Sequence, residues 1–216
     1  MQEQKAETVA VTIYSDYTCP WCYLGLARFE TLQEALGERV DLLTEWKPFE
    51  IHPEVPPEGM PVSALGYPPE QWDAMQATLR RAAEAEGLEL GNRPKVSNTH
   101  RALVASAYVQ AAEPEHFDAF HRALFRVYFT EGRDLGDPAV IRDVAAGSGV
   151  DVDAMETALE QGSYESAVSE TGAEARRHGI TGTPTFVFDG RYAAVGAQPA
   201  EELRRVVERV LSEKPA

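Results

Sequence analysis

The sequence predicts an α/β protein in which one small sheet is interrupted by a large all-helical insertion. Three observations lead to this prediction. β-strand patterns occur only near the two ends of the chain, helical periodicity fills the middle, and neither end alone carries enough strands for an independent sheet. The chain of 216 residues is long enough to enclose one sizeable core.

The first part of the chain has a β-α-β pattern. Residues 9–14 form an apolar, β-branched run typical of a strand. Apolar residues then recur at helical spacing over 22–36, and Gly37 supplies the expected helix stop. Residues 40–46 alternate between apolar and polar side chains, which predicts a second strand.

The middle of the chain is predicted to form the insertion. Prolines are frequent from 51 to 69 and discourage regular structure there, so we interpret this stretch as a linker. From about 68 to 165 the apolar residues follow helical spacing almost throughout.

The last part returns to strands. Residues 185–188 have strand character, and Asp189-Gly190 is a strong hairpin signal that leads into 191–195 and a final amphipathic helix. Joined to the first part, these elements supply about four strands of one sheet. We therefore predict a discontinuous thioredoxin-like domain formed by 1–62 and 166–216, with a helical insertion domain at 63–165.

Composition excludes some functions. The formal net charge of −15 would repel a phosphate backbone, so nucleic acid is not an expected partner. No run approaches the roughly 20 apolar residues that span a bilayer, so no membrane association is expected. The polar first residues resemble no secretion signal, which favours the cytoplasm. The sequence does not determine the oligomeric state.

The two cysteines, Cys19 and Cys22, lie within four residues of each other with Pro20 and Trp21 between them. Cys19 follows the first predicted strand and opens the first helix, where unpaired N–H groups favour an anion. A thiolate is the attacking species in disulfide exchange. We therefore predict that Cys19 attacks substrate and that Cys22, one helical turn further in, resolves the mixed disulfide.

Two alternatives remain open for this cysteine pair. It could be half of a zinc site, but a structural zinc site needs four ligands, and the five histidines show no paired metal-ligand spacing. It could also be two inert buried cysteines. The Pro-Trp pair at a strand-to-helix junction favours redox chemistry instead, and we predict neither a metal nor a cofactor.

A second motif surrounds Thr183 and Pro184 at the entrance of a predicted strand. Proline lacks the N–H that a central strand needs, and a cis peptide bond in a tight turn would accommodate it. We expect this cis bond next to the dithiol, with the Thr183 backbone offered to an extended substrate peptide. An ordinary trans proline turn is the alternative.

Taken together, these motifs resemble the DsbA-like thiol–disulfide oxidoreductases, specifically the FrnE-type branch. The resemblance covers nearly the whole chain and rests on the following segments: Ser15–Gly25, Trp46–Phe49, Ser97–Thr99, Tyr128–Gly132, Gly179–Phe186 and Gly196–Pro199. It implies a thioredoxin fold with a helical insertion, a redox-cycling Cys19–Cys22 pair and a cis-proline at Pro184.

The chain departs from the strongly oxidising periplasmic members of that family. They carry a histidine in the central dipeptide, where this chain has Pro20-Trp21, and an acidic residue six positions before the first cysteine, where it has Ile13. The second cysteine pair of some FrnE-type relatives is absent. These departures argue against a strong oxidant. In the expected reducing cytoplasm, we predict a reductase or isomerase of protein disulfides that acts as an oxidase only under stress.

Two other function classes remain. Glutathione-dependent 2-hydroxychromene-2-carboxylate isomerases and kappa-class transferases share the inserted fold, but typically use a serine to activate glutathione. A redox-inactive binding module or chaperone is the third class. The intact dithiol favours redox exchange with protein disulfides or dithiols, with glutathione as an alternative partner.

Four further residues are weaker candidates. His100 and Arg101 follow a predicted helix cap at Asn98-Thr99, and His100 is placed with Pro20, Trp21, Thr183 and Pro184 at the substrate-binding surface. Asp16 could accept the Cys22 proton or simply form a turn. His121 lies beside an apolar helix face, which favours a core histidine.

Overall fold

The computed structural model describes residues 6–93 and 95–214, and its centre is a four-stranded sheet. The described residues form six strands: β1 (Glu7–Ser15), β2 (Val40–Pro48), β3 (Met60–Pro61), β4 (Lys95–Val96), β5 (Thr185–Phe188) and β6 (Tyr192–Val195). The central sheet has the order β2-β1-β5-β6, with β1 parallel to β2 and antiparallel to β5. Both ends of the chain therefore contribute to one sheet, as the strand patterns predict.

Eight helices are formed by the described residues. They are α1 (Pro20–Leu36), α2 (Pro69–Ala85), α3 (His100–Ala112), α4 (Pro114–Phe129), α5 (Pro138–Gly147), α6 (Val152–Glu160), α7 (Glu165–Arg177) and α8 (Ala200–Ser212). None of the described helices combines the length and the apolar character needed to cross a membrane.

The two faces of the sheet are covered by different helices because side chains alternate along β1. Val9, Val11 and Ile13 point into the main core, which also receives apolar side chains of α1 and α8. Tyr14 points to the opposite face, where it packs in a small cluster with Ala175 of α7. Cys19 and Cys22, at the start of α1, belong to the main core.

The hairpin between β5 and β6 forms at the predicted dipeptide. Asp189 has a φ of 49° and Gly190 a φ of 65°, the left-handed conformation of a type I′ turn. Phe188 pairs with Tyr192, so Arg191 joins the predicted dipeptide in a three-residue connection. On its other side β5 pairs with β1, and Thr185 lies opposite Tyr14. Pro184 is therefore brought to the same edge of the sheet as the end of β1.

The helical region joins the sheet along the edge strand β2. The side-chain amide of Gln110 in α3 accepts a hydrogen bond from the Trp46 N–H (2.8 Å) and donates one to the Trp46 carbonyl (3.0 Å). The amide thus takes the place of a neighbouring strand at this point and protects an otherwise open sheet edge.

Two sequence interpretations are corrected by the structure. The proline-rich stretch 51–69 is more than a linker, because it includes β3 and a 3₁₀ turn at Val62–Leu65 and buries Val55. Helix α7 was not anticipated, because its sequence is polar and only Val168, Thr171 and Ala175 are buried in it. The boundaries between sheet domain and insertion stay a prediction.

Candidate functional site

The dithiol occupies the junction between β1 and α1. Cys19 is the residue before the first helical turn, Pro20 begins the helix, and the Cys22 N–H donates to the Cys19 carbonyl at 2.9 Å. Proline suits this position because its missing N–H would have no helical partner. Both cysteines are free thiols; Cys19 is 5% exposed and Cys22 is 1% exposed, so Cys22 is the more enclosed of the two.

The turn before β5 lies against the dithiol. The peptide bond between Thr183 and Pro184 is cis, and the Cys19 thiol donates to the Thr183 carbonyl at 3.4 Å. Pro184 also contacts α1 closely, since a methyl group added at Gly25 would lie 2.9 Å from its Cγ atom. The structure therefore places Cys19, Cys22, Thr183 and Pro184 in one group.

The two thiols differ in acidity. A hydrogen bond from Cys22 holds the pKa of the Cys19 thiol below its usual range, against the opposing effect of burial. Burial raises the pKa of the Cys22 thiol well above its usual range, and the adjacent Cys19 raises it further. Of the pair, Cys19 is thus the one that exists more readily as the nucleophilic thiolate.

Two buried hydroxyl groups lie next to Cys22. Ser15 Oγ and Thr183 Oγ1 have no hydrogen-bond partner among the described residues, and both are close enough to the Cys22 sulfur to favour its thiolate. Hydroxyl groups in this position can donate to the anion when it forms. Ser15 was quoted in the sequence motif without a role, and only the tertiary structure reveals its position.

Asp16 is buried in the dithiol loop, and its role as an acceptor of the Cys22 proton stays a prediction. One carboxylate oxygen accepts from the Thr18 N–H (2.8 Å) and hydroxyl (2.9 Å), and the other accepts from the Ile51 N–H (2.8 Å) and the Thr99 hydroxyl (3.2 Å). Burial raises the pKa of the Asp16 carboxyl group, and the hydrogen bonds oppose this effect. The carboxyl group connects the dithiol loop to the segment after β2 and to the start of α3.

His100 is also corrected by the structure. The Asn98 side chain caps α3 by accepting from the His100 N–H (3.1 Å), but the His100 ring faces Glu165 (2.7 Å) and Glu50 (3.4 Å). It is not among the described residues that line the cleft beside Cys19. Arg101 likewise pairs with Glu156 at 2.5 Å. These ion pairs hold both side chains in the surface network of the helical region.

His121 is a core histidine, as its apolar helix face predicts. It is 3% exposed, and its Nδ1 atom lies 2.7 Å from the Tyr17 hydroxyl, which also donates to Ser106. Within the described part of the chain its Nε2 atom has no partner. Burial lowers the pKa of His121 to about 3, so this ring is neutral at physiological pH.

A cleft of about 340 Å³ opens beside Cys19. Pro20 and Trp21 of the dithiol motif line one side, and Trp72 and Tyr128 belong to other parts of its wall. A cavity of this size is suitable for a small ligand or a short peptide segment. A larger groove of about 510 Å³ lies between α1, α4 and α5 and includes neither cysteine, so the smaller cleft is the candidate site.

Two cleft residues were missed by the sequence analysis, Arg80 of α2 and Arg93 of the loop before β4. The sequence offered only a weak signal for them, because single arginines are common in helical regions.

No cluster of three or more potential metal ligands occurs within 6–93 and 95–214.

Comparison with known proteins agrees with this geometry. The DSBA-like thioredoxin domain family matches residues 10–208. The chain belongs to this family. It is 31% identical over 183 residues to the uncharacterized protein YwbO of Bacillus subtilis, covering 84% of this chain and 87% of YwbO.

Two solved structures extend the comparison to the fold. The "probable DsbA oxidoreductase SCO1869" of Streptomyces coelicolor has a TM-score of 0.85 and 30% identity, covering 96% of this chain and 92% of that one. A 2-hydroxychromene-2-carboxylate isomerase has a TM-score of 0.75 and 21% identity, covering 94% and 96%. The predicted thioredoxin-like fold with a helical insertion is therefore confirmed, and the DsbA-like family resemblance with it.

Proposed function

We propose that this DsbA-like protein is a thiol–disulfide oxidoreductase of the FrnE type that acts on protein disulfides or dithiols through Cys19 and Cys22. The observation that supports this most directly is the unequal acidity of the two thiols at the start of α1. An acidic, outer thiol followed by a less acidic, enclosed one suits a two-step exchange.

In the first step, the Cys19 thiolate attacks one sulfur of a substrate disulfide. The substrate S–S bond breaks, a mixed disulfide forms at Cys19, and the other substrate sulfur leaves as a thiolate and takes up a proton. The Thr183 carbonyl, now free of the Cys19 thiol, is available to an N–H group of an extended substrate. The cis-proline turn thereby aligns the substrate with the attacking sulfur.

In the second step, Cys22 loses its proton and its thiolate attacks the Cys19 sulfur. The Cys19–Cys22 disulfide forms, and the second substrate sulfur leaves and is protonated. Two electrons and two protons pass from the dithiol to the substrate, and the reverse sequence oxidises a substrate dithiol. The Ser15 and Thr183 hydroxyl groups would stabilise the Cys22 thiolate during this attack.

We assign the protein to a reducing cytoplasm, where it would be largely in the dithiol state and act as a reductase or isomerase. The Pro20-Trp21 dipeptide and Ile13 distinguish it from strongly oxidising relatives. Thiol trapping in intact, unstressed cells would contradict this assignment if most of the protein carried an oxidised Cys19–Cys22 pair.

The exchange itself is tested by insulin reduction with dithiothreitol as the electron source. Cys19→Ser should abolish turnover because the attacking thiol is gone. Cys22→Ser should also lose turnover. In cell extract without added reductant, this variant should accumulate mixed disulfides with partner proteins through Cys19, visible on non-reducing gels and identifiable by mass spectrometry.

The two single variants are matched controls for each other. Trapping by Cys19→Ser but not by Cys22→Ser would reverse the assigned roles. If neither variant traps a protein while glutathione conjugation persists in Cys22→Ser, the glutathione-dependent isomerase or transferase function replaces the one proposed.

A further inference from the structure

The cleft beside Cys19 differs in charge from the rest of the molecule. The chain has 35 acidic and 20 basic residues, yet the cleft lining contains Arg80 and Arg93 and no aspartate or glutamate. Two positive charges therefore face a cavity next to a nucleophilic sulfur in a strongly acidic protein.

Arg93 is held in place by aromatic rings. Its guanidinium carbon lies 4.5 Å from the ring centre of Phe129 and 5.9 Å from that of Tyr128. Burial lowers the pKa of Arg93; Tyr128 opposes this effect and the positive charge of Arg80 adds to it. Both arginines line the same cleft, so a bound anion would reduce the repulsion between their charges.

Neither of these arginines forms an ion pair with a described residue, although acidic side chains are abundant. Arg28, by comparison, is paired with Glu86 at 2.7 Å and Arg133 with Asp143 at 2.6 Å. A guanidinium group presents a planar set of donors that matches a carboxylate. The guanidinium groups that line the cleft, neither of them paired with an acidic side chain of the described residues, therefore fit an anionic ligand of that shape.

We infer that Arg80 and Arg93 form a carboxylate-binding subsite that selects disulfides with an acidic group near the reacting sulfur. This inference rests on the proposed function, since Cys19 must react with the disulfide while the arginines hold the carboxylate. Trp21 and Trp72 supply the apolar wall for the intervening atoms. The acidic group belongs either to a side chain of a protein substrate or to a small peptide such as glutathione.

The test compares two oxidised peptides that differ only by glutamate or glutamine beside the disulfide cysteine, with glutathione disulfide as a third substrate. Turnover is normalised to that of 2-hydroxyethyl disulfide, an uncharged substrate that reports the intact dithiol. At low ionic strength we expect kcat/KM for the glutamate peptide to exceed that for the glutamine peptide about tenfold or more, because charge-assisted bonds are strong.

Arg80→Gln and Arg93→Gln should each reduce this ratio towards one, mainly by raising KM for the glutamate peptide. Arg81→Gln is the matched control, because Arg81 is the neighbour of Arg80 on α2 but is exposed and outside the cleft lining. The control should keep the wild-type ratio. Because Arg80 is exposed, Arg80→Gln should fold normally. This variant still tests the subsite if Arg93→Gln, which alters a side chain packed against aromatic rings, does not fold.

The outcomes separate this subsite from the proposed function. Equal kcat/KM values for the two peptides, together with no Arg80-dependent preference for glutathione disulfide and with normal reduction of 2-hydroxyethyl disulfide, would overturn the subsite and leave the oxidoreductase function intact. Failure to exchange any disulfide would overturn the oxidoreductase function. A preference for the glutamate peptide supports a protein source of the carboxylate, and an Arg80-dependent preference for glutathione disulfide alone supports the small peptide.

Discussion

At the scale of single residues, the reactivity of the site depends on two cysteines of the same type placed in different surroundings. Cys19 has a hydrogen bond from Cys22 and faces the first turn of α1, whereas Cys22 is enclosed by the core. The same thiol chemistry therefore gives one sulfur that ionises readily and one that does not.

This difference predicts the pH dependence of alkylation. With iodoacetamide and peptide mapping by mass spectrometry, Cys19 should react at a pH below the range of an ordinary thiol, near 8.5, whereas Cys22 should react only at higher pH. Cys22→Ala removes the donor that stabilises the Cys19 thiolate, so the Cys19 profile should move to higher pH. Identical profiles for the two wild-type thiols would contradict this account.

The sequence reveals those site residues whose role depends on residues next to them in the sequence. The dithiol and the Thr183-Pro184 turn are short motifs, and each has a local physical reason for its residues. Arg80 and Arg93 are different, because they reach the cleft from separate segments and their importance lies in the absence of a nearby carboxylate. Such an absence is a property of the packed molecule and has no local pattern.

At the scale of elements, the site depends on the contact between α1 and the turn before β5. Gly25 lies inside α1, where glycine ordinarily weakens a helix by about 1 kcal/mol relative to alanine. It is required here because a Cβ atom would lie 2.9 Å from Pro184 Cγ and 3.4 Å from Phe186 Cζ. Close approach of the turn to the dithiol therefore takes precedence over helix propensity.

Gly25→Ala should accordingly destabilise the protein by about 1–3 kcal/mol, the usual cost of overpacking, and slow insulin reduction by displacing Pro184. Gly172→Ala is the control, since the added methyl group in α7 meets only Arg176 at 3.6 Å and should stabilise by about 0.5–1 kcal/mol. Urea denaturation and the insulin assay measure both effects. A Gly25→Ala variant as stable and active as wild type would show that the contact is dispensable.

Elements were predictable where the sequence pattern is strong. The hairpin at Asp189-Gly190 and the strands beside it follow from turn chemistry and alternation. Helix α7 was missed because it covers the sheet with few apolar residues, and the short strands β3 and β4 were missed because two-residue pairings depend on tertiary contacts. The proline-rich stretch between β2 and α2 is ordered by packing rather than by local preference.

At the scale of the whole molecule, the helical region and the sheet meet around His121. Its ring centre in α4 lies 4.2 Å from that of Trp46 in β2 and 5.3 Å from that of Tyr17. The family match runs through both parts of the chain, in agreement with one continuous core. His121 is thus a titratable group at the contact between the two regions.

The direction of the resulting pH effect follows from the pKa of His121. Burial, aided by the positive charge of Arg122, lowers this pKa from 6.5 to about 3 in the folded protein. Between these values the unfolded chain binds the proton and the folded chain does not, so the free energy of unfolding decreases as the pH falls below about 6.5. Above that pH the ring is neutral in both states and contributes no slope.

Lowering the pH from 7 to 5 should therefore remove about 2 kcal/mol of stability through His121 alone. Urea denaturation of the reduced protein at pH 7 and pH 5 measures this loss. Both pH values lie below the range in which an ordinary thiol ionises. His121→Phe retains the aromatic packing but removes the titrating group. The free energy of unfolding of this variant should therefore decrease between pH 7 and pH 5 by about 2 kcal/mol less than that of wild type.

His178→Gln, which alters an exposed histidine, is the matched control. Its free energy of unfolding should decrease as much as that of wild type. If His121→Phe loses as much stability as wild type, protonation elsewhere controls the acid sensitivity of the fold.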